Sequence, residues 1–178
     1  LDKLGLQISK SRIEVAPKLV IRLTNILAQL GMPNAQFKFD INHQENYFST
    51  GKDEIQLLFS ANKGSDFGLL KKVASGGEMS RIMLAVKSVL SADTKLPTII
   101  FDEIDTGISG EIANKMAEIM KVMSKEMQIL AITHLPQIAA KGQFHYKVFK
   151  TIKENTTISE IKLLNSNDRI LEIAEMLS

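Results

Sequence analysis

Three short stretches carry residues that can do chemistry together. Ser75, Gly76, Gly77 and Glu78 open a helical apolar pattern; Asp102 and Glu103 close the apolar run Thr98-Ile99-Ile100-Phe101; and His134 closes a second apolar run, Gln128 to Thr133. Adjacent glycines let a backbone approach a ligand closely. A helix behind them presents unpaired N–H groups and the positive end of its dipole, which suits a phosphate. The Ser75 hydroxyl adds one more donor. The same four residues also read Ser-x-x-Glu, a capping box, and a well-formed helix start serves either purpose.

Asp102 and Glu103 are consecutive on a strand, so their side chains point to opposite faces and cannot share one task. An acid at the carboxyl end of a parallel strand lies where α/β sheets place their ligands. One carboxylate suits Mg²⁺, which favours one or two carboxylates together with retained waters and phosphates. Its neighbour suits orienting an attacking water. The plain alternative is a strand running out into a polar turn. His134 by itself suits a surface position or a helix start as well as a site, but two neighbouring parallel strands would bring Asp102, Glu103 and His134 to one edge of a sheet. Asp105, in the loop that follows, suits capping a turn or reaching across an interface.

The elements that must position these groups are legible in the pattern. Leu4, Ile8, Val15, Leu19, Leu23, Ile26, Leu27 and Leu30 predict a helix over residues 1–30, interrupted or kinked at Pro17 and stopped by Gly31-Met32-Pro33. Strict alternation predicts a strand over 37–41, and an apolar stretch predicts another over 55–60, with a polar turn or loop between them and a further loop over 62–67. Met79, Ile82, Met83, Val86, Val89 and Leu90 predict one apolar face of a helix running from Glu78 to Ser91. Strands at 98–102 and 128–133 flank a helix whose predicted face is Ile112, Met116, Ile119, Met120 and Met123. That βαβ order implies a buried parallel sheet. The tail predicts a hairpin, 146–153 and 156–164, turning over Glu154-Asn155, then a helix from 167 or 168.

Composition narrows the classes. A chain of 178 residues can hold one domain with a sizeable core, or one with a small appendage. The net charge of +2 with scattered lysines gives no basic stripe of the kind that tracks nucleic acid. There is no cysteine, hence no disulfide framework or thiolate metal site. Apolar runs fall far short of the roughly 20 residues of a membrane span. The first residue is Leu1 rather than Met, so a fragment or a processed product is expected. Gly-x-x-x-x-Gly-Lys-Ser/Thr, the loop that cradles triphosphate, does not occur, and neither does a Gly-x-Ser-x-Gly elbow.

The order of signature loop, helix, strand with Asp-Glu, loop, helix and strand with His resembles the carboxyl-terminal lobe of an ABC-type ATPase head. Val73-Ala-Ser-Gly-Gly-Glu-Met-Ser-Arg-Ile-Met-Leu-Ala-Val-Lys-Ser-Val-Leu90, Ile100-Phe-Asp-Glu-Ile-Asp-Thr-Gly-Ile-Ser-Gly110 and Ile132-Thr-His-Leu-Pro-Gln-Ile-Ala-Ala140 resemble the RecN family of bacterial SMC-like DNA-repair proteins. So do Leu30-Gly-Met-Pro-Asn-Ala35 and Leu58-Phe-Ser-Ala-Asn62. The resemblance implies an α/β fold with a mostly parallel sheet flanked by helices. Residues 1–30 would be the root of a coiled coil and 31–178 the head lobe.

The resemblance also implies roles. Ser75, Gly76 and Gly77 would contact the γ-phosphate of ATP held by a partner head, with Glu78 among the nucleotide-binding residues, and Asp105 would work across that dimer interface. Asp102 would serve Mg²⁺ through water, Glu103 would polarise the attacking water, and His134 would sense the γ-phosphate. Implied partners are an amino-terminal P-loop lobe of the same protein, a second head and DNA, with no membrane. The implied location is a bacterial cytoplasm, at the nucleoid. The implied function is ATP-driven head dimerisation in double-strand-break repair and recombination, with this chain alone inactive for lack of a P-loop. Two alternatives stand beside it: a non-catalytic dimerisation module, and an ATPase lobe of another ABC pathway such as a transporter.

Overall fold

The computed structural model describes residues 1–91, 96–102, 104–108, 110–153 and 156–177. They form two compact units, Leu1–Pro97 and Thr98–Ser178. The first unit takes in residues 1–30 together with the segment that follows. The reason is packing: Leu23, Leu27 and Leu30 of the first helix are buried in one core with Phe37, Phe59, Ile82 and Val89.

In the first unit, α1 spans Asp2–Gln29 and carries Pro17 within it. Its end is a Schellman motif. Gly31 takes φ 77°, the Met32 N–H donates to the Leu27 carbonyl at 2.9 Å and the Gly31 N–H to the Ala28 carbonyl at 3.4 Å. The chain then enters β1 (Gln36–Phe48), which pairs antiparallel with β2 (Gly51–Ser60) from Gln36↔Ser60 to His43↔Asp53, with a register irregularity before Phe48↔Gly51. The hairpin is much longer than the alternation suggested. Residues 42–48 and 51–54, expected as a turn or loop, are strand, and they lie along the first half of α1. β3 (Gly68–Leu69) adds to the far side of β2, and α2 (Leu70–Val73) leads to α3 (Gly76–Ser91). The buried side of α3 is Ile82, Leu84, Ala85 and Val89, while Met83 and Leu90, expected inside, are exposed.

A buried carboxylate ties α1 to the hairpin. Asp53 is 5 % exposed; it accepts from Ser9 Oγ at 2.6 Å and from Arg12 Nη1 at 2.8 Å, and His43 Nδ1 lies 3.2 Å away. Arg12 also donates through Nη2 to the Thr50 carbonyl at 2.7 Å, at the hairpin turn. The Ser9 hydrogen bond, then Arg12, hold the Asp53 carboxyl down at about 2, against the opposing effect of burial.

In the second unit β4 (Thr98–Asp102) and β5 (Gln128–Ile132) pair in parallel through α4 (Gly110–Met123). α5 (Pro136–Ala139) follows, then the antiparallel hairpin β6 (Tyr146–Lys153) and β7 (Thr156–Leu163), then α6 (Ser166–Leu177). The expected turn at Glu154-Asn155 lies outside the described residues. Phe101, Ile104, Ala113, Met116, Ala117, Met120, Met123, Met127 and Ile138 make the core. Arg169 closes the lower end, donating through Nη2 to the carbonyls of Ala139, Ala140 and Gly142 at 3.3, 2.8 and 2.6 Å.

The α/β class holds, but the expected mostly parallel, buried sheet needs correction. Among the described residues the strands fall into three small sheets, and only β4–β5 is parallel. That pair is covered on one face. On the other, Ile100, Leu130 and Ile132 are 64, 44 and 56 % exposed, so continuous apolarity here does not mean burial on both sides within this chain.

Candidate functional site

The expected site residues fall into two groups, one in each unit. In the first unit Ser75 and Glu78 form the reciprocal capping box. The Ser75 N–H donates to Glu78 Oε2 at 2.8 Å, and the Glu78 N–H donates to Ser75 Oγ at 3.4 Å. The helix start is therefore held by its own side chains, with Ser75 and Gly76 exposed. Gly76 has ordinary backbone angles for any residue, and a Cβ added there would meet no atom within 4 Å. Among the described residues nothing requires a glycine at this point. A side chain would obstruct only something approaching from outside, which is what an anion site at a helix start needs.

Arg81, which the sequence pattern did not single out, braces this helix start. It donates through Nε to the Gly77 carbonyl at 3.2 Å and through Nη1 to the Leu30 carbonyl at 3.0 Å, at the end of α1. A small open cavity of about 210 Å³ lies beside it, with Glu78, Asn34 and Asn62 on its walls.

In the second unit the parallel register pairs Asp102 with Ile132, so both strands end level and Asp102 and His134 lie at the same carboxyl edge. Asp102 is exposed there. Glu103, the expected water-polarising residue, lies outside the described residues. One exposed carboxylate at a strand end fits Mg²⁺ held through water with phosphate oxygens completing its shell. Among the described residues no cluster of three or more His, Asp or Glu forms a cage for an ion.

Asp105, which suited capping a turn or reaching across an interface, is 0 % exposed within the chain. Its Oδ2 accepts from the Thr133 hydroxyl, in a short contact, and from the His134 N–H at 3.2 Å; His134 Nδ1 lies 3.5 Å from the same oxygen. The Leu135 N–H donates to Thr133 Oγ1 at 3.0 Å, a serine/threonine turn that ends β5 and leads to Pro136 at the start of α5. The inward turn of Asp105 follows from Ile104 and Asp105 both being buried, which tucks the chain under the strand ends. The sequence signal was the threonine before the histidine, a hydroxyl able to satisfy a buried carboxylate.

These elements have the fold of an SMC-type head lobe. Solved structures have this fold. The Smc head from Pyrococcus yayanosii matches with TM-score 0.67 at 18 % identity, over 93 % of this chain and 30 % of that one. The Smc head from Pyrococcus furiosus, solved with the carboxyl-terminal domain of ScpA, matches with TM-score 0.66 at 18 % identity, over 99 % and 42 %. A chain from structural work on ATP-driven dimerization and DNA-stimulated activation of SMC ATPases matches with TM-score 0.58 at 21 % identity, over 95 % and 96 %.

In sequence the chain is similar to RecN proteins, whose carboxyl-terminal part it matches. It is 43 % identical over 176 residues to DNA repair protein RecN of Deinococcus radiodurans, covering 99 % of this chain and 31 % of that protein. To the RecN of Rickettsia typhi it is 41 % identical, over 99 % of this chain and 32 % of that protein, and to that of Xylella fastidiosa 40 % identical, over 96 % and 31 %. The chain thus spans about a third of the length of these curated relatives. No protein-family model matches it.

Proposed function

We propose that this chain is the signature-bearing half of an ATP-hydrolysing head in a RecN-like protein that acts in DNA double-strand-break repair and recombination. The observation that carries the reading is the level ending of β4 and β5, by which Asp102 and His134 share one edge, Glu103 being the next residue in the sequence after Asp102. Its relatives' name, DNA repair protein RecN, supports the pathway.

In this reading two heads close on ATP. Ser75, Gly76 and Gly77 offer a hydroxyl and helix-start N–H groups to the γ-phosphate of a nucleotide bound by the opposite head. Asp102 accepts hydrogen bonds from water around Mg²⁺, Glu103 orients the attacking water, and His134 faces the γ-phosphate. Bound Mg²⁺ would neutralise charge on the phosphate oxygens. Because the chain carries no triphosphate loop, a lobe bearing one is a necessary partner, and hydrolysis depends on assembly. DNA and a second head are the further partners.

The test is ATP turnover by the chain joined to the P-loop lobe of the same gene, against each part alone. Turnover only in the joined form, abolished by Glu103→Gln with ATP and the dimer retained, is the expected result. A folded joined head without ATP binding or turnover would instead favour a non-catalytic dimerisation module.

A further inference from the structure

We propose that Asp105 is the positioning residue of this half-site: its buried carboxylate holds the Thr133–His134 turn and steers the imidazole so that Nε2 is the atom offered to the nucleotide. The inference rests on the reading of His134 as phosphate-facing.

Asp105 fixes three consecutive residues at the end of β5. It accepts hydrogen bonds from the Thr133 hydroxyl and the His134 N–H, and the Thr133 oxygen, so oriented, accepts from the Leu135 N–H. The His134 side chain is 71 % exposed, and the buried group its Nδ1 faces is Asp105. A carboxylate is an acceptor only, so it favours the tautomer protonated at Nδ1 and leaves Nε2, on the far side of the ring, free to meet a ligand. This is the arrangement in which a functional imidazole is oriented by a third group behind it. Shaping the turn alone would not need a carboxylate. Among the described residues Asp105 Oδ1 is buried without a hydrogen-bond partner, so one oxygen of the carboxylate lies outside the bonds that hold the turn.

Two measurements test this. In the chain itself, ¹⁵N spectra of the imidazoles should show neutral His134 protonated mainly at Nδ1, and Asp105→Asn should move the proton to Nε2. In the head joined to its P-loop lobe, Asp105→Asn should lower kcat about tenfold with KM within about twofold. Combined with His134→Ala it should be no slower than His134→Ala alone. An unchanged tautomer, an unchanged kcat, or losses that add would each overturn the assignment. Should Asp105→Asn fail to fold, Thr133→Val removes only the hydroxyl. Faster exchange of the Leu135 amide with reduced kcat supports the hold, and neither change overturns it. If Glu103→Gln and His134→Ala themselves leave turnover intact, the half-site reading fails, while the tautomer still decides whether Asp105 steers the ring.

Discussion

Arg81 of α3 and Leu30 at the end of α1 are joined by a hydrogen bond, Nη1 to the main-chain carbonyl at 3.0 Å, across 51 positions of sequence. The same guanidinium holds the Gly77 carbonyl at 3.2 Å, so one side chain spans from the glycine pair to the end of the long helix. Arg81→Ala should remove both bonds and destabilise the chain by about 1–2 kcal/mol, seen as a lower urea midpoint with unchanged slope. Lysine cannot make both contacts from one planar fork and should restore little.

Asp53 sets an acid limit. Its folded pKa, about 2, lies below the ordinary 3.8. A depressed carboxyl means the unfolded chain binds the proton more readily. The contribution is therefore fully present above about pH 4 and is lost as pH falls through 2. Urea unfolding from pH 5 down to pH 2 should show this loss in the wild type and a flatter profile in Asp53→Asn.

Gly31 is held at φ 77°, a conformation that penalises a side chain. Gly31→Ala should cost about 1 kcal/mol, measured as the shift in unfolding free energy, through strain in the cap that ends α1.

Gly76 predicts the opposite. It is the first residue of α3 and a Cβ there meets nothing, so Gly76→Ala should leave stability within about 0.5 kcal/mol of wild type. Turnover by the joined head should fall sharply. Normal turnover would remove Gly76 from the phosphate contact.

Periodicity and punctuation made most elements legible. The strand at 98–102 has the expected bounds, and the helices and the second hairpin match within a few residues. The hairpin extension at 42–54 was not legible, because Asn42, His43, Gln44, Glu45 and Asn46 are polar on both faces and carry no alternation. What turns them into strand is tertiary: α1 lies alongside, with Asp53 bonded to Ser9 and Arg12. The α3 face was read about one position off, since Met83 and Leu90 are apolar yet exposed while Ala85 is small and buried. Helical apolarity marks that a face exists, and the packing partners decide which residues fill it.

The site was legible in its residues and less so in its internal wiring. Asp102 and His134 share an edge because parallel strands of equal length end together. Asp105 read as a loop acid suited to capping a turn or to reaching across an interface. Only the fold reveals that Thr133, 28 positions later, draws it inward. Arg81 sat within the quoted motif without a reason until the Leu30 carbonyl supplied one.

The two anchorages of α1 have a mechanical meaning. Arg12 is pinned by Asp53 and the Thr50 carbonyl, and Leu30 is pinned by Arg81. Eighteen residues of helix separate them, about 27 Å of rod. A rod fixed at two stations does not swivel about either one. A sideways load on its far end is passed as a couple into the hairpin at one station and into α3 at the other, so tension along the long helix and the posture of the glycine pair are joined by a rigid lever.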